Sequence, residues 1–135
     1  IPGQTGGVIG VSFNDDYLGT SYQGLTSSIV GSGAAGFAEG YNLPLMRIGS
    51  MPSIEAADYR HGLIEFHVWG YTSTTKMKPL NAFTGFKEDS DSIYLRETAH
   101  LYKGLLPVTS VELRIVGFPN GTFLVGSVFS IFGLY

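Results

Sequence analysis

HGLIEFHVWGY, residues 61–71, places Ile64, Phe66 and Val68 on one side of an extended chain and Glu65, His67 and Trp69 on the other. Successive strand side chains point to opposite faces, so this alternation marks a half-buried strand with its first set in a core. On its C-terminal side, residues 72–75 read as a polar turn and residues 76–86 as the antiparallel return strand. On its N-terminal side, residues 8–14 form an imperfect alternation, with Ile9, Val11 and Phe13 expected inside. Asn14-Asp15-Asp16 then makes a turn, because short Asx side chains bond nearby backbone amides.

The remaining segments fit the same pattern. GSGAAGFAEG, residues 31–40, holds four glycines and reads as a loop facing outward. Residues 43–48 read as a short strand, and Ser53 can cap a single helical turn over residues 53–58, the only helix expected. Residues 87–92 form a solvated loop that also faces outward. Over residues 92–102, Ile93, Leu95, Ala99 and Leu101 are in phase against Tyr94, Arg96, Thr98 and His100, with Glu97 interrupting the apolar side. Over residues 108–116, Val111, Leu113 and Ile115 are expected inside and Glu112 and Arg114 outside. The fold class implied is all-β: a single domain over residues 1–135, an antiparallel β-sandwich, jelly-roll-like, of about seven or eight strands.

The chain closes on GTFLVGSVFSIFGLY, residues 121–135, without one charged residue. Chain ends fray unless buried, and a loose apolar edge aggregates. The stretch is therefore expected to be a strand central to the fold or sealed against a neighbouring subunit. Asn120-Gly121 supplies the two positive φ values of a tight hairpin that would fold it back on residues 108–116. Gly126-Ser127 would mark a bulge that lets residues 128–134 keep filling the core.

Composition bounds the function. Charged residues make up 14% of the chain against about 25% in an ordinary soluble domain, and 44% are hydrophobic, so part of the surface is expected to be covered by partners. The net charge of −3, with no basic cluster, argues against a nucleic-acid partner. The longest apolar run is well short of the ~20 residues of a membrane helix, so no membrane insertion is expected. With no cysteine, disulfides and thiolate metal sites are excluded. Ile1 is expected to be a processed terminus or the start of a fragment.

No residue pattern compels catalysis. His61, His67 and His100 lack metal-site spacing, although Glu65 and His67 share a strand face about 7 Å apart. Asp15, Asp16 and the Glu88-Asp89-Ser90-Asp91 loop are the carboxylates a calcium site or a hydrolase would recruit, and turn capping and solubility explain them better. No nucleophile elbow, phosphate loop or dinucleotide fingerprint occurs. Asn120-Gly121-Thr122 fits the glycosylation pattern, but the hairpin explains it first. No catalytic residue, cofactor or metal ligand is assigned. Trp69, Tyr71 and Tyr94 form the candidate contact set, either as an aromatic platform for sugar rings or, favoured here, as intersubunit or cross-strand packing.

The order of several short motifs resembles a family of bacteriophage virion structural proteins. The segments carrying it are Val11-Ser12-Phe13-Asn14-Asp15-Asp16-Tyr17, then residues 64–71 followed by Thr74-Thr75-Lys76-Met77-Lys78, then Val108-Thr109-Ser110-Val111-Glu112-Leu113. Asn120-Gly121-Thr122-Phe123 and residues 126–134 complete it. Ser12 stands where the family usually has Arg and Phe132 where Tyr is commoner. The strands that normally precede the Asn-Asp turn are mostly missing, so an N-terminal portion is expected to have been lost, processed or not included. The resemblance implies a non-enzymatic β-sandwich without cofactor, assembled in the host cytoplasm and displayed on the extracellular virion as a tail-fibre or attachment module, or as a capsid decoration protein. It also implies a homotrimer with other virion proteins, and with a host-surface glycan, as partners. The alternative is a carbohydrate-binding, lectin-like domain built on the three aromatic residues, and the least favoured reading is a hydrolase using the scattered carboxylates.

Overall fold

Alternating apolar residues between turn signals produce eight strands and no helix among the residues that the computed structural model describes, 7–30, 35–50, 62–87, 93–116 and 127–133. The strands are β1 (Val8–Phe13), β2 (Tyr22–Val30), β3 (Ala35–Leu43), β4 (Met46–Ser50), β5 (Gly62–Val68), β6 (Lys78–Lys87), β7 (Ile93–Tyr102) and β8 (Val111–Val116). All pair antiparallel, in one sheet of order β4-β1-β8 and another of order β3-β2-β7-β6-β5. The all-β, two-sheet reading is therefore the observed architecture. Two long-range pairings nest, with β1 against β8 and β2 against β7, while β2-β3, β5-β6 and β6-β7 join sequence neighbours.

The core lies between the sheets. Ile9, Val11 and Phe13 of β1 and Met46 and Ile48 of β4 meet Tyr22, Leu80, Ala82 and Tyr102 of the larger sheet. Ile64, Phe66 and Val68 pack against this cluster as expected, and so do Val111, Leu113 and Ile115. Burying such side chains contributes roughly 1.5–3 kcal/mol each. Polar side chains also cross the layer to β4. The Thr84 hydroxyl donates to the Ile48 carbonyl at 2.9 Å, Arg96 donates to the Ser50 hydroxyl at 2.7 Å, and His100 Nε2 donates to the Arg47 carbonyl at 3.0 Å.

Three expectations are corrected. Residues 35–40, read as loop, belong to β3, because glycine permits extended backbone as well as turns once a partner strand supplies the ladder. That partner, β2, carries Gly24, Ser27 and Ser28 and so has too weak an alternation to be read from sequence. On β7 the faces are inverted: Thr98 and His100 are 1% and 5% exposed, whereas Ile93 and Leu95 are 53% and 40% exposed. The side of β7 that packs on β4 is the one able to hydrogen-bond across the layer, and this overrides the count of apolar residues.

The third correction concerns the closing stretch. Residues 127–133 form no strand and do not enter the core; Val128 and Phe132 are each 85% exposed. An apolar run demands cover, but its composition does not say whether the cover comes from its own chain. The helical turn over 53–58, the acidic loop of 88–92 and the hairpin and glycosylation readings of Asn120-Gly121 lie outside the described residues.

Candidate functional site

Alternation that puts one side of β5, β6, β7 and β2 into the core puts the other side on the surface, and that outer side is unusually apolar. Strand register fixes its layout in rows. Leu63, Gly85 and Leu95 lie side by side in one row, with Ile93 beside it. Glu65, Phe83 and Glu97 form the next row, and His67, Asn81, Ala99 and Leu25 the one after. Pro79, Leu101 and Gln23 form the last, closed by Trp69, whose amide donates to the Pro79 carbonyl at 3.0 Å.

Leu25, Leu63, Trp69, Phe83, Ile93 and Leu95 are all exposed here. Together they present on the order of 500 Å² of apolar surface, at the upper end of what monomers leave in one patch. Two apolar zones flank a polar band. Asn81 donates to Glu97 at 3.4 Å across it, and His67 contacts Glu65 at 2.8 Å. Over Ala99, the small residue among Gln23, Leu25, Pro79 and Leu101 leaves a shallow open depression of about 340 Å³.

The three aromatic residues singled out from sequence are not brought together. Trp69 lies on this outer face, 52% exposed, with its ring stacked on His67 at 6.0 Å. Tyr94 belongs to the opposite side of its strand, stacked on Phe86 at 5.0 Å and 5°. It is also seven residues along the strands from the level of Trp69, roughly 23 Å away. Tyr71 sits half-buried in the turn after β5, where its carbonyl accepts from the Val108 amide at 2.7 Å. Only Trp69 of the three therefore belongs to the apolar face. Leu63 and Phe83 escaped notice, although each stands beside an inward-facing apolar residue, Ile64 and Ala82, and Leu95 belongs to the apolar side of β7 that is expected inside and turns out to face solvent.

Comparison with protein-family models, with curated proteins and with solved structures gives no match. The surface must therefore be read from its own chemistry.

Of the carboxylates that a catalytic reading would recruit, Asp16 is engaged in structure. Asp16 Oδ1 accepts from the Leu18 amide at 3.0 Å and the Ser21 hydroxyl at 2.9 Å. Asn14 and Asp15 both take φ of 54°, a left-handed conformation that Asn and Asp tolerate best. From there the Asn14 side chain donates to the Pro107 carbonyl at 2.8 Å and accepts from the amides of Thr109 at 2.8 Å and Ser110 at 3.3 Å. The turn thus ties β1 to the segment that enters β8.

Tyr22 completes the junction by donating to the Asp16 carbonyl at 2.8 Å and accepting from the Phe13 amide at 3.0 Å. Burial pushes its pKa up to about 12, the nearby Asp16 charge adding to the effect. Tyr102, stacked on Tyr22 at 5.1 Å, is also raised by burial and by Asp16. Beneath them Lys78, fully buried, donates to the Gly104 carbonyl at 2.8 Å, and loss of solvent lowers its pKa. Among the described residues no three His, Cys, Asp or Glu side chains converge as a metal site.

Proposed function

We propose that this chain is a non-enzymatic bacteriophage virion structural protein, displayed on the particle as a tail-fibre or attachment module or as a capsid decoration protein. The observation that carries the reading is the apolar outer face of the five-stranded sheet, exposed together with the uncharged 127–133 segment. A lone soluble domain has no use for two such surfaces, while a component of a closed assembly hides both. The motif resemblance supplies the particle, and the low charge content agrees with a largely covered subunit such as a homotrimer.

Particles purified on a density gradient from the source culture and analysed by mass spectrometry test the proposal. The chain should co-sediment in fixed stoichiometry with the major virion proteins. Its absence from particles, with the chain free in the lysate, would remove the reading.

A glycan-binding role is the second reading, favoured by exposed Trp69 stacked on His67 next to Glu65, since a ring flanked by polar hydrogen-bonding groups suits a sugar. Trp69→Ala should then abolish retention on a glycan array without changing the association state. In the structural reading the same substitution instead lowers the stability of the oligomer.

A further inference from the structure

We infer that the 127–133 segment of one copy lies across the outer face of the five-stranded sheet of a second copy, with Phe132 seated in the depression over Ala99. This rests on the reading of the chain as a self-assembling particle protein, and names what covers the face. Two surfaces on one chain need cover, and neither covers the other. Val128, Ile131 and Phe132 are more than 80% exposed, while Phe129 is 55% exposed. The segment carries no charge, so it brings no ion of its own to Leu63, Phe83 and Leu95, and Ser130 is the residue it sets against Glu97.

The two patterns also match in register. Laid out as a strand, Val128, Ser130 and Phe132 point to one side at steps of about 6.7 Å. The outer side of β7 repeats the same order at the same step: Leu95, then Glu97, then Ala99. In that register Val128 meets the Leu63-Leu95 zone, the Ser130 hydroxyl meets the Glu97-Asn81 band, and Phe132 enters the depression lined by Leu25, Pro79 and Leu101. Phe129 and Ile131 point to the other side, and Phe129 is the more covered of the two.

One arm with three inward side chains covers part of the face's roughly 500 Å², so a single junction falls below the about 1,000 Å² of a stable specific interface and is strengthened by repetition around an assembly. The junction is heterologous, since each copy gives an arm and receives one, so it closes a ring when the rotation permits and doubles the buried area per subunit.

The test uses the full chain and its lack of cysteine. Phe132→Cys combined with Ala99→Cys should give, on oxidation, disulfide-linked dimers and larger species on a non-reducing gel. A cross-link within single chains places the arm on its own sheet and overturns the inference, as does an intact oligomer with no cross-link, which means another occupant covers the face. Independently, Phe132→Asp and Ala99→Arg should each shift the wild-type oligomer to monomer in analytical ultracentrifugation with the β-type circular dichroism of the fold retained. Mixing the two variants should restore dimers, because one keeps the arm and the other the face.

A monomeric wild-type chain, or a Phe132→Asp variant that associates like wild type, overturns the inference. If the chain is nonetheless found in purified particles, the proposed function survives that failure. A chain that associates through the arm but never enters a particle loses the function and keeps the inference.

Discussion

Gly24 lies opposite His100 in the β2-β7 ladder, and a Cβ added there would collide with the imidazole. Gly24→Ala should therefore cost about 1–3 kcal/mol in urea unfolding, as overpacking of a filled interior does. The imidazole itself makes the fold acid-sensitive. Burial holds the His100 pKa below its ordinary 6.5, opposed by its hydrogen bonds to the backbone of Arg47 and Gln23. Above pH 6.5 both folded and unfolded chains carry neutral His100. Below it the unfolded chain takes up a proton that the folded chain resists, so stability falls as the pH drops from 6.5. His100→Gln should flatten the stability profile below about pH 6.5 relative to wild type, and an unchanged slope would show that other groups set it. Asn14 makes the complementary case. Asn14→Ala loses the bonds to Pro107, Thr109 and Ser110 and strains a φ of 54°, so a loss of about 2–3 kcal/mol is expected. Asn14→Gly relieves the strain alone and should recover about 1 kcal/mol of it.

β5 and β7 show how far a strand can be read from its own residues. In β5 the apolar set Ile64, Phe66 and Val68 and the polar set Glu65, His67 and Trp69 separate cleanly, and the core takes the first set. In β7 both sides are mixed, so hydrophobicity is nearly balanced and long-range partners decide. His100 and Tyr102 turn inward because β4 and β1 offer a carbonyl and a ring there, and the strand's alternation carries Thr98 in with them; this information lies more than 50 residues away in the chain. β3 was illegible for a related reason: its ladder depends on β2, whose own pattern is weak. The apolar outer face was legible in principle, through Leu63 beside Ile64 and Phe83 beside Ala82, but only once register had placed these residues in adjacent strands. β7 also offers a test of the inverted assignment. Buried Thr98 has a hydroxyl with no hydrogen-bond partner among the described residues, so Thr98→Val should raise stability by about 1 kcal/mol. If Thr98 faced solvent, the substitution would scarcely register, and Leu95→Asn would instead be the costly change. With Leu95 outside, Leu95→Asn should spare the melting temperature and weaken self-association.

For the whole molecule, the closing stretch and the sandwich turn out to be separable. The core joins β1 and β4 to β2, β6 and β7, and the exposed 127–133 segment contributes nothing to that cluster. Its apolar side chains instead raise the free energy of the isolated subunit, which the proposed association would relieve. Folding and assembly should therefore respond differently to one truncation. Removing residues 127–135 is expected to leave a soluble chain that keeps its β-type circular dichroism and melts within a few degrees of wild type diluted until it dissociates. The same truncation should abolish self-association in analytical ultracentrifugation. A truncated chain that unfolds would return the terminal stretch to the fold, as an uncharged run ending a chain first leads one to expect. A truncated chain that still assembles would leave the outer face of the larger sheet binding copies by itself, face to face, with Leu63, Phe83 and Leu95 meeting their own counterparts across a two-fold axis.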